Sequence, residues 1–402
     1  KILITYSSSN NSLVDSVDLI PWVVVSNPGK IYNFRTQKFY DNLQLAIDDI
    51  DTLDGDVIVI GKNLSVGNFV INKQLTLKSL SGNSTFMPSN NSPVFSINSD
   101  SVSILDLIIK SSMYAYGIFV NGKNNITISG NNITNGCYGI SAISSNNLFI
   151  EGNYIFNSTI AGIDLNGVNN VSIYSNIINN SNNGIYSVSA NGEIISNIFS
   201  NNQLGLCLED FFGYVNFNAI FNNSYGMSSI FSTGIINANN NWWGNNDIFP
   251  FSFTGKYIDT YYSDVTCDYW LVLKTNVERD FAQSNNTHGV YIVTADLTHN
   301  NNGEDTSDGI LPDGLPINFS TTRGTINSTA YTSAGKAKAT LKITNNGQTN
   351  VTTVLNDQSV LSSSNLNVTM KGVYNNRTKN YFDNIQQAIN NATSGDVILL
   401  SD

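Results

Sequence analysis

Short apolar alternations dominate this chain, and they return at a fixed spacing. Ile126-Thr127-Ile128 and Val171-Ser172-Ile173 are typical, with the two-residue period of a half-buried strand. A Gly followed by an aliphatic residue or Met recurs every 21 to 23 residues, at Gly117-Ile118, Gly139-Ile140, Gly162-Ile163, Gly184-Ile185, Gly205-Leu206 and Gly226-Met227. In counterpoint, an Asn stands three residues after an aliphatic at Asn131, Asn153, Asn176, Asn197, Asn218 and Asn239. A period of this length predicts stacked supersecondary units, none able to bury its apolar face alone. It is too short for paired helices, and no leucine-rich signature accompanies the Asn. The pattern predicts a right-handed parallel β-helix whose rungs coil through about three short strands and stack roughly 4.8 Å apart.

Alternation then assigns faces. Ile118 and Val120 point inward, with Gly117 and Phe119 outward, and the same rule buries Ile163, Leu165, Leu206 and Leu208. The Asn column is expected at corners, where Asn tolerates left-handed backbone and its amide bonds the next rung. From Asp41 to Ile50 the period becomes helical. Leu43, Ala46, Ile47 and Ile50 share a face, and Asp41 with Gln44 forms a capping box, so a capping helix is predicted ahead of the first rung. The run Asn240–Asn246, with Trp242-Trp243 as a lid, ends the periodicity.

Beyond Leu271 the alternating stretches lengthen: Val290–Asp296, Ile317–Thr321, Lys336–Ile343 and Val351–Leu355, separated by Gly/Asn/Asp turns. This texture predicts an immunoglobulin-like β-sandwich. The last thirty residues repeat the start. Tyr374–Thr378 echoes Tyr32–Thr36 at an offset of 342, and Gly395–Ile398 echoes Gly55–Ile58 at an offset of 340. The expected class is therefore all-β. Residues 1–28 read as a linker or edge strand, 29–270 as the β-helix with its cap helix and lid, 271–371 as the sandwich, and 372–402 as the start of a second β-helix module.

Composition narrows the partners. Charged residues make up 12% of the chain, the net charge is −11, and no Lys, Arg or His lies between Lys123 and Lys256. That argues against nucleic acid and anionic lipid. No apolar run is long enough to insert in a membrane. Cys137, Cys207 and Cys267 form neither a disulfide framework nor a CxxC site. Sequons are abundant, including those at Asn63, Asn83, Asn125, Asn157, Asn170, Asn222, Asn318, Asn350 and Asn367. An Asn-rich chain also produces sequons by chance, so glycosylation stays open. Together these features read as an extracellular protein.

Candidate chemistry is sparse. Pectate lyases, polygalacturonases and alginate epimerases use a solenoid of this kind, but β-elimination needs a strong base and the regular rungs carry none. Inverting hydrolysis needs two carboxylates roughly 6.5–9.5 Å apart. Glu151, Asp164, Glu193 and Glu209 fall at different offsets from the Gly positions, so no two are expected to stack, and no catalytic residue is assigned. A sugar-binding face is the stronger alternative. The outward column Phe119, Ser141, Asp164, Tyr186, Cys207, Ser228, joined by Tyr116 and Tyr138, puts aromatics beside a carboxylate. Tyr116, Phe119, Tyr138, Asp164 and Tyr186 are the candidate ligand contacts, although such aromatics equally stabilise a sheet surface. Between His299 and Gly314, Asp305, Asp308 and Asp313 stand among Asn300, Asn301 and Asn302 and offer oxygen ligands to calcium; the same residues also make plain turns. No other cofactor is expected.

The segments Asn240–Asn245, Asp268–Leu273, Val293–Gly303 and Leu311–Ile326 resemble the adhesin-like surface proteins of methanogenic archaea. Thr332–Ala337 resembles a strand motif of invasin-type immunoglobulin-like domains. The resemblance runs from about residue 30 to the end. It implies β-helix domains alternating with bacterial-type immunoglobulin-like domains in a tandem, non-catalytic, extracellular stalk or scaffold. Implied partners are cell-surface glycans or neighbouring cells, or identical subunits joined head to tail in a filament or sheath. A polysaccharide lyase or hydrolase is the reading the residues favour least.

Overall fold

A computed structural model describes residues 30–61, 64–80, 82–248, 257–281, 283–284, 288–309, 311–368, 373–382 and 384–400. The linker or edge strand expected at 1–28 lies outside the described residues, as does Asn63. By their internal contacts the chain forms two compact units. The first comprises the described residues up to Val215, Asn223–Ala238 and those up to Thr266; the second comprises Asn216–Asn222, the described residues from Asn239, and those from Cys267 onward.

The first unit is a parallel β-solenoid. A representative rung runs through Tyr116–Asn121, Asn124–Ser129 and Asn132–Thr134, and the next through Tyr138–Ile143, Asn146–Glu151 and Tyr154–Phe156. Strands of successive rungs pair in parallel and in register. Phe95, Ile118, Ile140, Ile163 and Ile185 form one continuous column, and Ile104, Ile128, Ile150, Ile173 and Ile194 another. All ten side chains are fully buried. The expected inward stack of Ile118, Ile140, Ile163 and Ile185 is present. Each buried residue contributes roughly 1.5–3 kcal/mol before ordering entropy is charged against it.

The Gly column exists for a different reason than alternation gave. Gly117 is buried, and a Cβ there would lie 2.4 Å from the Gly139 carbonyl oxygen and 2.7 Å from Ile133 Cγ2. Gly139, Gly162 and Gly184 meet the same two obstacles, the next Gly carbonyl and an inward side chain of the third strand. Only a residue without a side chain lets consecutive rungs close at this corner.

The Asn column also divides into separate roles. Buried Asn131, Asn153, Asn176 and Asn197 link the rungs. Asn131 donates both its backbone N–H and its Nδ2 to Asn153 Oδ1 (3.0 and 3.0 Å); Asn153 does the same to Asn176, and Asn176 to Asn197. Each Nδ2 also reaches back to a carbonyl of the preceding rung, as from Asn153 to Ile128 at 2.8 Å. The left-handed backbone expected of these Asn belongs instead to the residue before each: Gly130, Gly152, Ser175 and Ser196. Other, exposed Asn do adopt it, among them Asn125, Asn147 and Asn170, whose amides form an outer ladder. In the second unit Asn218 bonds Asn241 rather than the expected Asn239. Asn239 Oδ1 accepts from the backbone of Asp268 and Tyr269 instead.

The capping helix is shorter than predicted, Leu43–Asp48. Asn42, not Asp41, is the N-cap, its side chain accepting from the N–H groups of Gln44 and Leu45. Leu43, Ala46 and Ile47 are buried, but Ile50 is exposed because the helix stops at Asp49, whose carboxylate accepts from the Asp51 N–H.

In the second unit two four-stranded antiparallel sheets carry alternating buried residues, such as Val293 and Ala295 in one and Ile317 and Phe319 in the other. The four expected strands are present. They are joined by Lys274–Arg279, Thr325–Ile326, Thr329–Tyr331 and Gln358–Leu366. Trp242 is fully buried and donates Nε1–H to Asn356 Oδ1 at 2.8 Å, while Asn246 bonds Gln358 and Leu273. The Asn-Trp-Trp-Gly-Asn run therefore clamps onto these sheets.

The terminal echo is structural as well. Asn33 and Arg35 grip the carboxylate of Asp56, and Asn375 and Arg377 grip Asp396, with antiparallel pairs Tyr32↔Val59 and Tyr374↔Leu399 in matching register. Burial pushes the Asp56 carboxyl up, but the bonds from Arg35, Asn33 and the Leu53 N–H together hold it below its ordinary range. One difference separates the copies. Asp56–Ile60 pairs in parallel with Leu75–Ser79 and the cap helix is covered, whereas Ile385, Ile389 and Leu400 stand exposed where Leu43, Ile47 and Ile60 are buried.

Asn153→Ala should lower unfolding stability by about 2–4 kcal/mol, because it strands the Asn131 backbone N–H and removes the bond to the Ile128 carbonyl inside the core. Asn147→Gly, at an exposed left-handed position, should cost less than about 0.5 kcal/mol. Denaturant midpoints of the two variants check the contrast.

Candidate functional site

The solenoid brings the five sheet-face residues together. Tyr116 is register partner to Tyr138, and Phe119, Ser141, Asp164 and Tyr186 follow one another on consecutive rungs. The Tyr116 and Tyr138 rings stack with centroids 5.2 Å apart and planes 19° from parallel, and Phe119 leans on Tyr116 at 5.3 Å. The face is less open than alternation implied. Asp164 is only 8% accessible, and Ser141 donates to its Oδ2 at 2.6 Å. Burial raises the Asp164 carboxyl above its ordinary range, with the Ser141 bond opposing. Burial, then the charge of Asp164, pushes the Tyr138 hydroxyl up to about 12. The four tyrosine and phenylalanine side chains are half-buried. This is a sheet surface stitched by ring stacking, with its carboxylate turned into the wall.

The remaining carboxylates stay apart. Glu151 is register partner to Ser129 and Tyr174, Glu193 to Ser172, and Glu209 to Ile230. Glu193 accepts from the Tyr174 hydroxyl. Paired acid and base carboxylates do not arise at these positions.

The loop expected to offer calcium ligands holds Asp305, Asp308 and Asp313 in different surroundings. Among the described residues no group of three His, Cys, Asp or Glu is placed to hold a metal. Asp305 accepts from the Ser307 N–H at 2.8 Å, Asp313 from the Ala334 N–H at 2.7 Å, and Asp308 is exposed. Asp305 serves its own turn, whereas Asp313 ties to the distant turn at Ala334. Among the candidate sequons, the described residues Asn83, Asn125, Asn157, Asn170, Asn222, Asn318 and Asn367 are exposed and Asn350 is half-buried, as glycan acceptors must be.

One cluster escaped the sequence reading. At the corner after the first strand of each rung the backbone is left-handed, and the column reads Gly122, Ser144, Gly167, Ser189, Asp210, Phe231, Tyr262. In the last two rungs large aromatics replace small residues, beside Tyr261. The signal was available as a break in the Gly/Ser/Asp corner column, but the longer spacing between Phe231 and Tyr262 hid their equivalence.

A family model described as "Periplasmic copper-binding protein (NosD)" matches residues 51–255, just over half the chain, and the chain belongs to that family. A cell surface glycoprotein of Methanothermus fervidus is 31% identical over 111 residues, covering 28% of this chain and 18% of that protein. The chain thus spans about a fifth of that relative's length. Among solved structures, an alginate lyase from Paenibacillus is 11% identical, with 55% of this chain and 96% of that chain covered and a TM-score of 0.32. A mutant of the periplasmic alginate epimerase AlgG is 13% identical, with 65% and 84% covered and a TM-score of 0.32. At those scores neither carries an argument about this chain.

The family description implies copper, and the donors here do not fit it. Residues 51–255 contain no His. Cys137 and Cys207 lie three rungs, roughly 14 Å, apart. Burial, then the charge of Glu209, pushes the Cys207 thiol up to about 11, and Met227 is sealed in the core. Copper needs soft or imidazole ligands gathered at one point; the matched residues have no imidazole, their two thiols are apart, and of their thioethers Met227 is buried and Met87 and Met113 are exposed.

The raised Asp164 carboxyl has a signed consequence. Because the folded state holds its proton more tightly than the unfolded chain, stability is lost as pH rises through the interval between the two values. Asp164→Asn, which keeps the contact with Ser141, should therefore melt higher than the parent at neutral pH. The gap should close in acid below the ordinary carboxylate range, as read by paired thermal melts across pH.

Proposed function

We propose that the chain is a non-catalytic module of a cell-surface protein, a stalk or scaffold in which a β-solenoid alternates with an immunoglobulin-like sandwich. The observation that carries this reading is the cap built twice. The Asn-Arg-Asp network that opens the solenoid reappears after the antiparallel sheets with the same strand register, as expected of a module in a series. The match to a relative named cell surface glycoprotein, the exposed sequons and the Asn/Ser-rich stretch without a base between Lys123 and Lys256 support an extracellular setting. No helix among the described residues is long and apolar enough to cross a membrane. Isolated carboxylates and the lack of a base on the regular rungs support the absence of lyase, hydrolase or epimerase chemistry.

Protease shaving of intact source cells should release peptides of this chain, and release only after lysis would overturn the surface assignment. Incubation with alginate, pectate and polygalacturonate should yield neither unsaturated uronates nor new reducing ends. Turnover that disappeared in Asp164→Ala would overturn the non-catalytic one.

A further inference from the structure

The corner occupied by Phe231 and Tyr262 breaks a rule that the rest of its column obeys. Left-handed backbone at this corner is met by Gly122, Ser144, Gly167, Ser189 and Asp210, residues that adopt it at little cost. Phe231 at φ 53° and Tyr262 at φ 50° adopt the same backbone with a bulky ring attached, which is uncommon and unfavourable. Burial does not repay that cost. Phe231 is 58% accessible, Tyr262 74% and the adjoining Tyr261 56%. The rings are nonetheless ordered against one another. Phe231 and Tyr262 lie 5.8 Å apart with planes 6° from parallel, and Tyr261 stands nearly perpendicular to both, at 5.4 and 4.5 Å. An exposed apolar cluster held in strained backbone is the usual mark of a contact surface.

Its surroundings select the ligand chemistry. Asp210, one rung before Phe231, accepts from the N–H and hydroxyl of Thr233 and from the Ser189 hydroxyl. These bonds, the one from Thr233 first, hold its carboxyl below the ordinary range, so an ionised acceptor stands beside the rings. Between Lys123 and Lys256 the sequence has no cation, and the whole chain carries −11. A polyanion would be repelled here. Rings that offer apolar faces, with hydroxyls and a carboxylate alongside, suit the C–H faces and hydroxyl edges of an uncharged sugar. We infer that Phe231, Tyr261 and Tyr262 form a binding platform for a neutral glycan at the solenoid corner. This goes beyond the surface-module reading and is separable from it, since the chain can belong to a cell surface and lack the site.

The decisive variant is Phe231→Ser with Tyr262→Gly, which writes into the last two corners the residues that Ser144 and Gly167 place in earlier ones. Relief of the left-handed aromatic backbone should leave the melting temperature unchanged or raise it. The full chain, printed against arrays of amylose, mannan, xylan and chitin with pectate as the acidic control, should retain at least one neutral polymer and not pectate. The variant should bind that polymer more weakly by about tenfold or more. Four results would overturn the site: no neutral polymer bound, pectate preferred, binding equal in parent and variant, or a lower melting temperature in the variant, which would make the rings structural. Loss of self-association in the variant without any glycan binding would assign the cluster to a protein partner and overturn it equally.

Discussion

Buried amides set the spacing on which the first unit depends. Asn131, Asn153 and Asn176 each span three rungs, bonding a carbonyl behind and the next Asn ahead, with every polar atom removed from water. Such groups are costly when orphaned and favourable when satisfied. A rung that slipped by one residue would break several of these bonds at once, so the ladder imposes a single register. The Gly column follows from that spacing. With the rungs held this close, the Gly139 carbonyl occupies the place a Cβ on Gly117 would need.

The same spacing governs the outer surface. Side chains one rung apart are forced into contact, so like stacks on like: Tyr116 on Tyr138, Asn147 on Asn125, Phe231 against Tyr262. A solenoid surface therefore builds ladders readily. It concentrates mixed chemistry only where neighbouring rungs differ in the right way. Along the regular rungs carboxylates meet hydroxyls, rings or aliphatics, and the two thiols of the matched residues lie three rungs apart. Membership of a copper-named family therefore comes here without imidazole ligands in the matched residues.

The two caps separate local from tertiary causes. Asn33, Arg35 and Asp56 make the same bonds as Asn375, Arg377 and Asp396, because those bonds close within some twenty residues and need nothing beyond them. Burial of the helix face differs in part: Ala46 and Ala388 are both buried, but the first helix packs against Phe69–Ile71, with Gln44 bonded to Val70, and buries Leu43 and Ile47, whereas Ile385 and Ile389 of the second stand exposed. Local sequence makes the network, and a following rung makes the core.

The sequence by itself determined the rungs, their inward Ile columns, the paired strands of the second unit and the repeated cap. Each of these follows from a period that one stretch of chain carries whole. The candidate face Tyr116, Phe119, Tyr138, Asp164 and Tyr186 was legible as a register column for the same reason. Tertiary structure alone decided that Asp164 is covered, that ladder and left-handed corner belong to different Asn, and that Asp313 ties to Ala334 rather than to its own loop. It also decided that Phe231, Tyr261 and Tyr262 share one exposed corner across an irregular spacing. Periodicity says which way a side chain points, but accessibility and hydrogen-bond partners depend on the size and polarity of residues a rung away, and those are settled only when the rungs are stacked.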